Sequence, residues 1–263
     1  MKSNRLGKDN LGPMHHARYP QGMVSQGISA ELIAARWQLS RHDLDAFSLR
    51  SHQRAAQAID RISGDIEVLD DISADEGIRR DTSLEKLAGL KAAFEDPAMA
   101  ERYPEIGWRV TAGNASQVTD GSGAMLVMEE QVAQRLGLRP RARIRSFAVV
   151  GDDPIYMLTG VIPATRKLLD RAGLAIGDID AFEVNEAFAS VVLAWAKELG
   201  ADLGKVNRYG GAIALGHPVG ASGVRLTANL LRALEETGGR YGLQTMCESG
   251  GMANATLIER LGD

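Results

Sequence analysis

Twenty residues, Val206 to Arg225 (VNRYGGAIALGHPVGASGVR), constrain this chain more than any other stretch. An apolar strand candidate runs into Gly210-Gly211, Gly216-His217-Pro218 and Gly220-Ala221-Ser222-Gly223, and a segment with helical spacing follows. Glycine permits positive φ and close backbone approach. Pro218 fixes its own φ and keeps His217 out of the α region. The expectation is a stiff loop that holds one imidazole at a strand-to-helix turn, with Ser222 as N-cap of the next helix. Taken alone, such a loop is equally a glycine-rich turn with a solvated histidine. No Gly-Lys-Ser/Thr ends the run, so it is not a P-loop, and its glycines do not follow the dinucleotide spacing.

The loop sits in a regular alternation. Strands are expected at Ala124–Met128, Arg143–Val150, Ala181–Val184, near Val206, Tyr241–Met246 and Ala253–Ile258. Between them the apolar spacing predicts helices over Glu129–Leu136, after Pro163 to Gly173, over Glu186–Leu199, and along Val224, Ala228, Leu231 and Leu234. This reads as α/β, a sheet with helices on both faces, whose ligands collect at the carboxyl ends of the strands. The first 110 residues differ. Residues 1–28 read as loop, with His15-His16 as a solvated pair. Ser29 is expected to cap a helix bearing Leu32, Ile33 and Trp37. Ser40 with Asp43 fits a capping box for a longer helix with Leu44, Phe47, Ala55, Ile59 and Ile62 on one face and Arg50, His52, Gln53 and Arg54 on a solvated one. A further helical patch is expected over Leu84–Phe94.

A net charge of −4 leaves no global basic footprint for nucleic acid. No 18-residue apolar run calls for a membrane span. Lys2, Arg5 and Lys8 have no apolar core behind them, so no secretory signal is read. The lone cysteine, Cys247, excludes an intrachain disulfide and a Cys-rich zinc site, and fits a reducing, cytoplasmic setting.

Three stretches fall at carboxyl ends of expected strands: Asn185-Glu186, the His217 loop, and Cys247-Glu248-Ser249-Gly250-Gly251. Separately, Asn185 is an N-cap candidate and Cys247 a small buried hydrophobe. Together they describe acyl chemistry on an activated carbonyl. A thiol beside an imidazole has a lowered pKa, Asn185 positions groups by hydrogen bonding, and backbone N–H groups at Ser249 and Gly250 face a developing oxyanion.

These segments resemble the thiolases. Asn185-Glu186-Ala187-Phe188, Gly210 to Gly223 and Cys247 to Met252 look like their three C-terminal motifs. Gly27 to Glu31, Asp81 to Leu87, and Thr111 to Ser116 with Asp120-Gly121 resemble further thiolase segments. The resemblance implies acyl-CoA acyltransfer, by Claisen condensation or thiolysis of a 3-oxoacyl-CoA, with CoA and acyl-CoA as substrates, no metal and no cofactor. It implies that His217 activates a nucleophilic cysteine, that Cys247 is the acid/base, and that Asn185 holds a water that helps polarise the thioester oxygen. It also implies a homodimer or homotetramer, a CoA-binding loop domain at 1–110, part of an N-terminal half at 111–141, and a C-terminal half at 142–263. Two departures stand out. The nucleophilic cysteine of the thiolase N-terminal half has no counterpart here. The expectation is therefore a truncated thiolase, completed by another chain, or a non-catalytic acyl-CoA-binding or interaction protein. Ser249 replaces a usual glycine, and serine is strained if that position needs positive φ. The condensing enzymes of ketoacyl synthesis share the fold class but match the Cys247 hairpin less well.

Overall fold

The computed structural model describes residues 12–70 and 72–262. Lys2, Arg5 and Lys8 lie outside the described residues. Among the described residues, six α-helices precede the sheet: α1 (Gly12–Arg18), α2 (Gln26–Arg36), α3 (Arg41–Ile62), α4 (Leu84–Ala88), α5 (Pro97–Arg102) and α6 (Glu130–Arg135). Then come β1 (Ala142–Gly151), α7 (Val161–Ala172), β2 (Ala181–Val184), α8 (Ala189–Leu199), α9 (Ala212–Leu215), α10 (Ser222–Thr237), β3 (Tyr241–Glu248) and β4 (Met252–Arg260).

The sheet runs β1-β4-β3-β2; β2 and β3 are parallel and the other pairs antiparallel. Its two side-chain rows meet different helices. Gly242 leaves room for Leu230 and Leu234 of α10, and Gln244 accepts a hydrogen bond from Thr227 of the same helix. The opposite row, with Leu243 and Cys247, joins Leu168 of α7 and Trp195 of α8 in the main core. Four buried leucines of α10 (Leu226, Leu230, Leu231, Leu234) each contribute about 1.5–3 kcal/mol by leaving water. Helices α7 and α8 end on Gly173 and Gly200 in the left-handed conformation, where a glycine is expected. The Ser40–Asp43 capping box forms as expected, and α3 buries Leu44, Phe47, Ala55 and Ile62.

Several expectations are corrected. Ala124–Met128 is not a strand; Leu126 and Val127 stand exposed, and among the described residues no partner strand flanks them. A short apolar run carries no period of its own, and strand identity depends on an edge to pair with. Near Val206 only a single bridge to Phe182 forms. Within residues 1–28, Gly12–Arg18 is helical. The cap of α2 is Ser25, whose Oγ accepts from Ile28 N, while Ser29 is buried inside the helix and donates to the Ile155 carbonyl at 2.7 Å. The Leu84 patch ends at Ala88. The polar face of α3 is solvated only in part: Gln53 is exposed, but His52 is buried, and Arg54 donates to the carbonyls of Val206, Asn207 and Leu203.

Candidate active site

Strand β2 is buried throughout and delivers Asn185 at its end, where the Asn185 N–H donates to Thr245 O of β3 at 3.0 Å. Asn185 is not the cap of α8, which begins four residues later; its side chain is 1% exposed. Glu186 follows as a buried hub. Its carboxylate accepts from Ser51 Oγ (2.7 Å), Asn207 Nδ2 (2.9 Å) and Ile213 N (3.1 Å). It thereby ties α3, the Asn207 turn and α9 to the end of β2. Gly211 is required by this hub: a Cβ there would lie 2.5 and 2.6 Å from the carboxylate oxygens.

Helix α9 leads through Gly216, at φ +84°, into His217. Gln117 fixes this loop. Its side-chain amide nitrogen donates to Gly77 O, Ile213 O and Ala214 O, and its backbone carbonyl accepts from His217 N at 3.0 Å. The imidazole is held at both nitrogens: Nδ1 lies 2.6 Å from Ser222 Oγ, and Nε2 lies 3.3 Å from Asn185 Nδ2. Ser222 is therefore not the expected N-cap; it is the first residue of α10, and its hydroxyl donates to Pro218 O at 2.9 Å. A hydroxyl has one proton. With that proton on Pro218 O, Ser222 accepts from Nδ1–H, and the Nε2 lone pair faces the Asn185 amide. Burial, and then the Arg225 charge, hold the imidazole below its usual pKa, so it is an uncharged base near neutrality. Asn185 Oδ1 is buried without a protein partner.

Cys247 lies two residues beyond Thr245 on the neighbouring strand, in the row facing the main core rather than α10. No hydrogen bond joins it to His217 among the described residues. Burial pushes its thiol up to about 12, the reverse of the expected lowering, because no cation or imidazolium offsets the loss of water. In the turn that follows, positive φ falls at Gly250 and Gly251 (84° and 86°), while Ser249 keeps an ordinary negative φ, so the feared strain does not arise. The glycine requirement is sharpest at Gly251, where a Cβ would lie 2.8 Å from Asp152 O.

The sequence reading thus named Asn185 and His217, which meet, and Cys247, which closes the adjacent strand. It missed Ser222 as the imidazole's partner, and it missed Gln117 and Glu186. Spacing could have flagged only Ser222, five residues after His217 across a proline turn. On the outer side of α3, a cavity of about 150 Å³ is lined by Leu49, His52, Gln53, Arg79, Arg80 and Thr82.

Residues 13–131 match the family model of the thiolase N-terminal domain, and residues 138–260 that of the thiolase C-terminal domain. A 3-ketoacyl-CoA thiolase of Shewanella frigidimarina is 42% identical over 280 residues, covering 97% of this chain and 70% of that protein. The chain belongs to the thiolase family. A steroid 3-ketoacyl-CoA thiolase of Mycobacterium tuberculosis is 50% identical over 250 residues, covering 93% of this chain and 58% of its own length. Among solved structures, human mitochondrial 3-ketoacyl-CoA thiolase superposes with a TM-score of 0.83 at 34% identity, over 99% of this chain and 68% of that one. The first relatives in these comparisons are thus matched over about three fifths of their length. The layered α/β thiolase fold is present, its lineage is that of acyltransferases, and its one cysteine falls within the stretch matched to the C-terminal domain.

Proposed function

We propose that this chain forms the thioester-recognising, proton-transferring side of a thiolase-type acyl-CoA site. It binds CoA and acyl-CoA, and its own cysteine carries no acyl group. In this reading His217 is the base, Asn185 orients a donor toward the thioester oxygen through its unpartnered Oδ1, and Cys247 exchanges a proton as a neutral thiol. Backbone N–H groups at Ser249 and Gly250 support the oxygen. Residues 1–110 are the CoA-binding loop domain, 111–141 part of an N-terminal half, and 142–263 the C-terminal half. The observation that carries the reading is the doubly held imidazole, with Nδ1 on Ser222 and Nε2 at Asn185. The Arg79 and Arg80 guanidinium groups beside the cavity on α3 suit the phosphates of CoA. A thiol pushed up to about 12 is a proton carrier at neutral pH rather than a nucleophile, which favours binding over acyl-enzyme formation.

Calorimetric titration with CoA and acetyl-CoA, followed by intact mass, tests this. Saturable one-to-one binding with unchanged mass is expected; no binding, or an acetyl adduct on Cys247, would overturn it.

A second reading is full acyl transfer once a nucleophile is supplied, favoured by the lone pair on Nε2. It predicts thiolysis of acetoacetyl-CoA when a thiolase front segment bearing its cysteine is joined to this chain, and no thiolysis from the joined chain counts against it. Assembly with a second copy or a completing chain is supported by edge strand β1, where Ile144, Phe147 and Val149 are more than half exposed. Among the described residues no helix is long and apolar enough to cross a membrane.

A further inference from the structure

A base needs its lone pair on the nitrogen that faces the site. An uncharged imidazole carries one proton on either nitrogen, and the hydrogen bond made at one nitrogen decides what the other presents. The side chain that can make this choice for His217 is Ser222. It is wholly buried at the first residue of α10, and its Oγ lies 2.6 Å from His217 Nδ1. The hydroxyl does not cap the helix. It turns back to the Pro218 carbonyl, four residues earlier, at 2.9 Å. The same carbonyl accepts from the Ala221 and Ser222 N–H groups, each at 2.9 Å. Pro218 O thus anchors the whole turn between His217 and α10, and Ser222 Oγ is placed by that backbone. On the other side of the ring, Asn185 Nδ2 lies 3.3 Å from Nε2. A ring proton on Nδ1 suits both neighbours at once: it donates to Ser222 Oγ, and the Nε2 lone pair accepts from the amide. With Ser222 donating to Nδ1 instead, a proton on Nε2 would face the amide hydrogens, donor against donor.

We propose that Ser222 is a positioning residue for His217: its hydroxyl, held by the Pro218 turn, keeps the ring proton on Nδ1 and presents the Nε2 lone pair at the Asn185 end of the site. This rests on the reading of His217 as a base. Ser222 acts only through the ring, five residues away across a proline. The residue type follows from the geometry. Alanine would remove the acceptor at Nδ1, and cysteine would nearly keep the size while offering only a weak one. Without that acceptor the ring proton is free to occupy either nitrogen, and the lone pair no longer belongs to one of them.

The test is a long-range proton–nitrogen NMR correlation of the full chain with isotope-labelled histidine, the His217 signals being assigned by their loss in His217→Asn. It is run at about pH 8.5, where a histidine at or below its ordinary pKa is uncharged; burial keeps His217 below it. The unsubstituted protein should show two well-separated ring nitrogens, Nδ1 protonated and Nε2 with its lone pair. A proton on Nε2, or two averaged nitrogens, overturns the proposal without any variant. Ser222→Ala should pull the two signals toward each other as the proton spreads over both nitrogens. A folded Ser222→Ala with an unchanged pattern would show that Asn185 alone places the proton, and would overturn the assignment. Should Ser222→Ala not fold, Ser222→Cys takes its place, with the same expected and refuting results. Calorimetric titration of the unsubstituted chain with CoA keeps the two ideas apart: absence of binding refutes the functional reading, while the ring pattern stands as its own result.

Discussion

Alkylation of Cys247 by iodoacetamide puts the thiol assignment to a quantitative test. The chain has one cysteine, so the rate reports a single site. A thiol at about 12, against an ordinary value near 8.5, is ionised at pH 7.5 to only about 3 × 10⁻⁵ instead of ~0.1, a deficit of roughly 3,000-fold. A more basic thiolate is intrinsically more reactive, and a Brønsted slope of about 0.4–0.5 returns a factor of roughly 25–60. The net expectation is alkylation about 10² slower than for a free cysteine, before burial at 8% exposure slows it further. The rate should rise close to tenfold per pH unit from pH 7 to pH 10, with no plateau. The same chain unfolded in urea supplies the reference, followed by intact mass at timed quenches. A folded rate within about threefold of the unfolded one, or a plateau below pH 9, would refute the reasoning, because it would mean that a cation or the imidazole activates the thiol.

Other consequences are equally concrete. His52 is 4% exposed, accepts a hydrogen bond from Arg79 N at 3.1 Å, and is depressed to about 4 by burial first and Arg79 second. Its folded pKa lies below its unfolded value, so the stability it contributes is full above about pH 6.5 and is lost as pH falls toward 4, by up to about 3 kcal/mol; urea midpoints of the unsubstituted chain should fall more steeply over that window than those of His52→Gln. Gly211→Ala drives a Cβ into the thrice-bonded carboxylate of Glu186 and should cost about 1–3 kcal/mol in urea unfolding; an unchanged midpoint would show that the hub yields. Phe147→Lys on the exposed edge of β1 should lower self-association in light scattering without lowering the unfolding midpoint; an unchanged mass would remove β1 from any interface.

How much could be read before the structure follows from where each residue finds its partners. Strand β2 was recoverable to the residue, and β3 and β4 nearly so, because each is an apolar run bounded by turn-formers. Gly173, Gly200 and the Ser40–Asp43 box mark helix ends through local hydrogen bonds that spacing encodes. What spacing does not encode is long-range. Ser222 looks like a cap, yet its hydroxyl serves an imidazole that reaches it only after a folded loop closes. Arg54 and His52 look solvated on α3 until the Leu203–Asn207 turn and the Arg79 segment cover them. Ala124–Met128 has strand composition but no edge to join. The direction of the Cys247 pKa was misjudged for a related reason: the thiol is buried in the main core, and the loss of water, with no cation beside it, raises its pKa.

Hydrogen–deuterium exchange with and without saturating acetyl-CoA addresses the site most directly. The account predicts slower exchange confined to three segments, Asn185–Phe188, Gly210–Gly223 and Cys247–Gly251, with further slowing at Arg79–Thr82 beside the α3 cavity. Unchanged exchange in all of them, or protection appearing only along β1 and α6, would contradict it.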